Sequence, residues 1–309
     1  MAADTYRRRE RVRTLLFLSP WLLGTGLFFL YPLASTVYFS FMKYDGFSAP
    51  TYDGLDNWVY VFRDYAFFWP ALRNTLWLVL VMVTLRVIFG LSLGLLVTKV
   101  KTGAGLLRTV LYIPFLAPPV AATMAFAFLL NPGTGPVNSV LGKLGLPEPG
   151  WFNDPTWSKP ALTLLALWGV GDVMVIFMAA LLDVSKEQYE AASLDGAGAW
   201  SRFRFITLPN IRPIVVFSVV TGVIQTMQYY TQPIVAGKVA SGVIGGSGQQ
   251  FEPGYPEKST LTLPQLVYNL GFQRFDTGSA CVIALVLFAI SMAFTALIMR
   301  RNAGLVGEP

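Results

Sequence analysis

Near the end of one apolar run, several uncharged side chains stand close enough together to bind a polyhydroxylated molecule. Thr221, Gln225, Gln228 and Gln232 follow one another at steps of four, three and four, which puts them on one face of a helix. A primary amide both donates and accepts hydrogen bonds, so three glutamines on one face suit sugar hydroxyls. Tyr229 and Tyr230 lie beside them, and a phenol ring can stack on the apolar C–H face of a pyranose. The same face would also serve hydrogen bonds to a neighbouring helix, worth about 1 kcal/mol each. A second group is charged. Asp172 follows Trp168, Gly169 and Gly171 near the middle of one apolar run, and Arg86 lies near the middle of another. If both runs sit in hydrocarbon, an unpaired charge there costs at least about 2.5 kcal/mol, which predicts an ion pair. The alternative for Asp172 is to accept hydrogen bonds from sugar hydroxyls.

Other chemistry is poorly supplied. The chain has no histidine, hence no ready general base or imidazole metal ligand. Its single cysteine, Cys281, rules out an intrachain disulfide and a thiolate cluster, and reads as a small buried hydrophobe. A phosphate-cradling loop needs Gly-x4-Gly-Lys-Ser/Thr, but Gly142-Lys143 and Gly237-Lys238 are followed by Leu and Val. No catalytic residue, metal site or cofactor is expected on this chain. Any ATP and magnesium would be handled by a partner.

The elements that must position these groups are apolar helices. Of 309 residues, 54% are hydrophobic and 13% charged, about half the charge of a soluble domain. Apolar runs near the length needed to cross a ~30 Å hydrocarbon core recur along the chain. The expected fold is an all-α polytopic membrane protein with six spans: Thr14–Phe39, Ala71–Val97, Leu107–Leu130, Ala161–Leu182, Ile214–Val235 and Ser279–Met299. Residues 1–13 form a basic cytoplasmic start (Arg7, Arg8, Arg9, Arg11, Arg13), residues 14–300 one transmembrane domain with a five-span core at about 71–299, and residues 301–309 a tail. The start lacks a cleavage site and reads as leading into an uncleaved span. With the N-terminus inside, the inner segments carry fourteen Lys and Arg and the outer ones eight, which favours both termini in the cytoplasm. The net charge of +6 therefore reflects membrane orientation and does not indicate nucleic-acid binding. The outer segment from Gly237 to Gly278, rich in Gly and Pro, predicts a mobile loop with a short surface helix at Thr262–Phe272. It would either contact a solute-binding protein or be slack.

Between the fourth and fifth runs lies an amphipathic segment, Ser185 to Pro209. Ser185 and Gln188 have the form of a capping box, and Gln188–Leu194 suits a short helix. Asp195-Gly196 should break it, because glycine accepts the left-handed conformation. A second helical piece, Ala199–Ile206, carries Trp200, Phe203 and Ile206, with Leu208-Pro209 as its stop. Glu190-Ala191-Ala192, Gly196, Ile206, Leu208 and Pro209 reproduce the EAA-x3-G-x9-I-x-LP pattern without a mismatch. The chain thus resembles the permease subunits of ABC importers. Tyr31-Pro32, Gly54-Leu55-Asp56-Asn57, Asn74-Thr75, Arg108 with Pro114, and Asn131 with Gly133, Gly135 and Asn138 are similar to the sugar branch.

The resemblance implies a subunit of the bacterial plasma membrane with a second homologous permease, an ABC ATPase dimer, an extracytoplasmic solute-binding protein and a sugar substrate. Glu190, Ala191, Ala192, Asp195, Gly196, Ile206, Leu208 and Pro209 would contact the ATPase, although Glu190 alone would also read as a solvated helix charge. Trp168, Asp172, Thr221, Gln225, Gln228 and Tyr229 would line the substrate path. Glycerol-3-phosphate or a related phosphodiester is an alternative cargo, and it would want a basic cavity. A more distant alternative is an ion-coupled secondary transporter, which should show two related halves. An intramembrane enzyme would have Asp172 as its one credible acid.

Overall fold

Two glycines one turn apart set a close helix pair. Gly90 and Gly94 form a Gly-x3-Gly stripe on α2 (Phe68–Lys99), packed on Val173 and Phe177 of α6 (Gly171–Asp183). A Cβ on Gly90 would stand 2.6 Å from Val173 Cγ1, so only glycine permits this approach. Steps of four match on both helices, which therefore run parallel. Lipid supplies no hydrophobic drive between spans, and small residues gain stability there through close backbone contact. On another side of α2, Val79 and Val83 pack against Val223 and Met227 of α9 (Arg212–Met227). Leu78 and Met82 join a cluster with Ala127, Phe152, Ala161, Leu162 and Ala236.

This computed structural model describes residues 2–243 and 252–302, mostly as helix. The side chains of Arg7, Arg8, Arg9 and Arg11, the loop residues 244–251 and the tail from 303 lie outside the described residues. Among the described residues three helices are long and apolar enough to cross a membrane: α1 (Arg13–Phe39), α2 and α12 (Thr277–Arg301). Three bent pairs pass the same test together. The chain divides into two compact units, Met1–Tyr65 with Val267–Val286, and Ala66–Leu266 with Leu287–Pro309.

The first unit contains a short hairpin, β1 (Met42–Lys43) against β2 (Thr51–Tyr52). The Asn57 amide donates to the Ser40 and Met42 carbonyls at 3.1 and 2.9 Å, and the Tyr44 carbonyl accepts from Thr277 N at 2.9 Å. An Asx turn at Asp45 accepts from Phe47 N, Ser48 N and Ser48 Oγ. Donation from the Ser48 backbone, then from Phe47 and the Ser48 hydroxyl, lowers the Asp45 pKa to about 2.

Three expected spans are not straight. The run Leu107–Leu130 divides into α3 (Ala104–Leu116) and α4 (Pro119–Leu129), bent by 97°. Consecutive prolines explain this, because the residue before a proline avoids the helical region; Ala117 and Pro118 are both extended, at ψ 133° and 130°. The run Ala161–Leu182 divides into α5 (Ser158–Trp168) and α6, bent by 49° at Gly169-Val170. The run Ile214–Val235 stops as a helix at Met227 and resumes as α10 (Thr231–Ala240). Pro233 has no N–H for the Tyr229 carbonyl, and the Thr262 hydroxyl donates to that carbonyl instead, at 3.1 Å.

The segment expected as an outer loop, Gly237 to Gly278, differs from its expectation too. Gly237 to Ala240 continue α10, and the described residues 254–263 are folded on fixed anchors. Asn74 Nδ2 donates to the Lys258 and Leu261 carbonyls at 2.7 and 3.1 Å, and Thr75 Oγ1 accepts from Leu263 N at 3.0 Å. Leu261, Leu263 and Leu266 are fully buried, so α11 (Leu263–Tyr268) is a core helix in place of the surface helix expected at Thr262–Phe272. Burial of leucines three and five residues apart outweighs the turn-forming composition upstream.

Candidate functional site

Arg86, Asp172 and Gln225 meet at the junction of α2, α6 and α9. Arg86 Nη2 donates to both Asp172 oxygens, at 3.1 and 3.2 Å, while Nη1 donates to Gln225 Oε1 at 3.0 Å. Arg86 is one turn before Gly90 and Asp172 immediately precedes Val173, so the glycine contact sets the depth at which the charges meet. Gly171 supports the junction from behind: a Cβ there would lie 2.6 Å from the Leu111 carbonyl and 2.8 Å from Tyr112 Cα. The ion pair expected from matched depth is present. It is the one salt bridge among the described residues.

Arg86 and Gln225 form a wall shared by two cavities. The larger has a volume of about 400 Å³, in the range of small-molecule sites. Trp168, Gln225, Gln228, Tyr229, Tyr230 and Gln232 line it together with apolar residues of α3, α4 and α5. Trp168 is 42% exposed, its ring 5.4 Å from that of Phe126. Tyr229 packs on the core cluster around Leu78, and its buried hydroxyl has no hydrogen-bond partner. The smaller cavity, about 130 Å³, holds Asp172, Ser218 and Thr221. On α9 its residues lie further toward the end that joins the charged segment.

Six predicted substrate residues thus fall into two groups. Trp168, Gln225, Gln228 and Tyr229 share the larger cavity, and Asp172 and Thr221 face the smaller one. The single helical face drawn through Thr221, Gln225, Gln228 and Gln232 does not exist as such, because the helix breaks at Gln228–Tyr230. The break nevertheless turns Gln228 and Gln232 into the same cavity as Gln225. Arg86 is the cavity residue whose role sequence reasoning left open, and the Gly90-x3-Gly94 stripe that seats it was a readable signal.

The charged segment is built as two helices around a Schellman turn. Helix α7 (Lys186–Leu194) ends where Gly196 takes φ +78°, with Gly196 N donating to Ser193 O at 3.1 Å and Ala197 N to Ala192 O at 2.8 Å. The expected capping box is absent. Ser185 occupies the cap position without a side-chain bond, since Gln188 Oε1 accepts from Asn210 Nδ2 at 3.0 Å. Nor does Pro209 end the second helix: α8 (Ala199–Asn210) runs through it and then bends 66° into α9. A π turn at Phe203–Thr207 precedes the proline, and Asn210 Nδ2 donates to the Ile206 carbonyl at 2.7 Å.

Tyr189 and Ile206 anchor the segment on the core cluster of Val173, Phe177, Val184 and Ile211, and the Tyr189 hydroxyl meets Thr207 Oγ1 at 2.8 Å. By contrast, Leu194, Trp200 and Phe205 are 90, 71 and 70% exposed. Glu190, Ala191, Asp195, Gly196, Leu208 and Pro209 are exposed as well, with Ala192 and Ile206 half-buried.

Residues 86–303 match the family described as binding-protein-dependent transport system inner membrane component. The chain is similar to the sulfoquinovosyl glycerol transport system permease protein SmoG of Agrobacterium fabrum, 31% identical over 294 residues, covering 94% of this chain and 90% of the relative. It is similar to the lactose transport system permease protein LacF of Rhizobium radiobacter, 30% identical over 280 residues and 89% of each chain. Among solved structures it resembles a chain of a bacterial ABC transporter involved in import of the acidic polysaccharide alginate, with TM-score 0.76, 19% identity and full coverage of both chains.

Proposed function

The chain belongs to the binding-protein-dependent transport system inner membrane component family, and from that premise we propose that it is one of two transmembrane subunits of a sugar or oligosaccharide importer. Members of the family are membrane permease subunits, not enzymes, and ATP is hydrolysed by a separate subunit. The observation that carries the reading is the segment 185–210. Its anchored side is buried on the core, while Leu194, Trp200 and Phe205 stand in the open beside Glu190. Side chains this apolar and this exposed mark a surface that a partner covers. We assign that partner as the ATPase, with both chain termini on its side of the membrane and with an extracytoplasmic solute-binding protein on the other.

In this reading closure of the ATPase pushes on α7 and α8. The anchors Tyr189, Thr207 and Ile206 carry the push to α6 and α9, the helices that bear Asp172 and Gln225. Sugar occupies the larger cavity, where Gln225, Gln228 and Gln232 exchange hydrogen bonds with hydroxyls and Trp168 offers an aromatic face. Relatives named for lactose and sulfoquinovosyl glycerol support the sugar class.

The test is transport in proteoliposomes. A complex of this chain with its second permease, ATPase and binding protein should accumulate a labelled sugar only with ATP on the ATPase side, and the chain alone should transport nothing. Ion-driven uptake by the chain alone would overturn the assignment.

A further inference from the structure

The larger cavity has one charged side chain on its wall, and that charge is cancelled before a ligand meets it. Among its lining residues Arg86 is the only ionisable group that is charged at neutral pH. Asp172 contributes no lining to that cavity. It lies on the far side of the guanidinium and takes Nη2 with both oxygens, while Gln225 takes Nη1. A carboxylate with both oxygens on one guanidinium nitrogen neutralises the group at close range, and the Gln225 bond to the other terminal nitrogen helps to fix its plane. What remains facing the cavity is a Gln-rich, aromatic and uncharged lining, and behind that lining the Arg86 Nε–H and the Tyr229 hydroxyl are buried without a partner. A terminal N–H left free beside a neutral cavity suits a hydroxyl or ring oxygen. A carboxylate, sulfonate or phosphate would find a guanidinium already committed to Asp172, and would bring its own charge within reach of that carboxylate.

We infer that Asp172 is a positioning residue that sets specificity by neutralising Arg86, so that the cavity selects neutral polyhydroxylated ligands and rejects anionic ones. This rests on the sugar-importer reading and narrows its substrate class. Arg86 meets the ligand with the terminal N–H groups that Asp172 and Gln225 leave free, and Asp172 acts only through Arg86.

The test uses the purified complex of permeases and ATPase in detergent, without the binding protein, so that the membrane site alone is sampled. The probes are methyl β-glucoside and methyl β-glucuronide, which share a ring and differ in charge at C6. Their binding is read by saturation-transfer difference NMR, and the neutral-to-anionic affinity ratio is compared between variants. The wild type should favour the glucoside by about tenfold or more, the size expected when a like charge is brought near a paired carboxylate. Asp172→Asn, which uncovers the arginine, should move the ratio at least tenfold toward the glucuronide. The Arg86→Gln/Asp172→Asn double variant should return it to the neutral side. A structural role for Asp172 would lower both affinities together and leave the ratio unmoved, which would overturn the inference. Preference of the wild type for the glucuronide would overturn it as well, and this arm stands even if Asp172→Asn fails to assemble. If the wild type binds neither probe, the sugar site itself is wrong and the inference falls with it.

Discussion

The segment 185–210 and the Arg86 junction solve opposite problems. The first keeps large apolar side chains in the open, held by one buried edge at Tyr189, Thr207 and Ile206. The second keeps full charges out of the open, with Arg86 and Asp172 side chains only 15 and 18% exposed. An exposed tryptophan is tolerable where a partner will cover it. A buried arginine is tolerable where a carboxylate and an amide already do. The two regions therefore differ in what a substitution should damage: association in one, the fold of the bundle in the other.

The largest loss of stability is expected at the junction. Arg86→Ala leaves Asp172 buried without its counter-charge, and breaking such a pair costs about 3–5 kcal/mol. Replacing both by apolar residues, Arg86→Met with Asp172→Leu, should recover most of that loss. Thermal unfolding of the detergent-solubilised complex measures both, and equal damage from the single and double variants would show that the pair is not the source. Next comes Gly171→Ala, whose methyl group meets the backbone of α3 at Leu111 and Tyr112; crowding of this kind costs about 1–3 kcal/mol. A variant as stable as wild type would mean that α3 and α6 are free to separate.

On the exposed side the expectation reverses. Trp200→Ala should change stability by no more than about 0.5 kcal/mol, since the ring makes little buried contact, yet weaken ATPase binding about tenfold or more. Titrated binding of the ATPase to permease in nanodiscs measures this. Equal affinity would remove Trp200 from the docking surface.

The smallest effect lies outside both regions. Asp45 has a lowered pKa in the folded chain, so the stability it gives its turn is complete above the ordinary carboxylate range and is lost as pH falls through about 2. A Phe47→Trp reporter should respond to acid in that window, and Asp45→Asn should abolish the response while leaving sugar binding alone.

How much could be read beforehand followed from how local each feature is. The segment 185–210 is a matter of spacing along some twenty residues, so Glu190-Ala191-Ala192 and the Gly196 turn were legible, whereas which of Trp200, Phe203 and Ile206 would be anchored and which open was not. Its details were not. Ser185 and Gln188 fit a capping box in sequence, but Asn210, twenty-two residues on, takes the Gln188 carbonyl. The junction depends on contacts across the bundle. Matched depth pointed to the Arg86–Asp172 pair but could not separate it from direct sugar binding, and the division into two cavities has no linear signature. The breaks at Ala117-Pro118 and Tyr229-Tyr230 were written in Pro118-Pro119 and Pro233, yet apolar length outweighed them in placing spans. Asn57, Asn74 and Asn138, which carried the likeness to sugar permeases, are loop anchors: the Asn138 carbonyl accepts from Trp151 Nε1 at 2.7 Å, and its amide donates to Pro149 O at 2.9 Å. Resemblance found them, and packing explains them.

The central claim is that the open face of 185–210 is where a separate ATPase drives this subunit. The most direct measurement is affinity purification of the tagged chain in mild detergent beside a Glu190→Lys variant, with the co-purifying chains identified and counted. The wild type should bring down a second permease and an ATPase, and the variant should lose the ATPase alone. A folded wild-type chain that emerges without an ATPase, or a variant that retains it in full, would contradict the account.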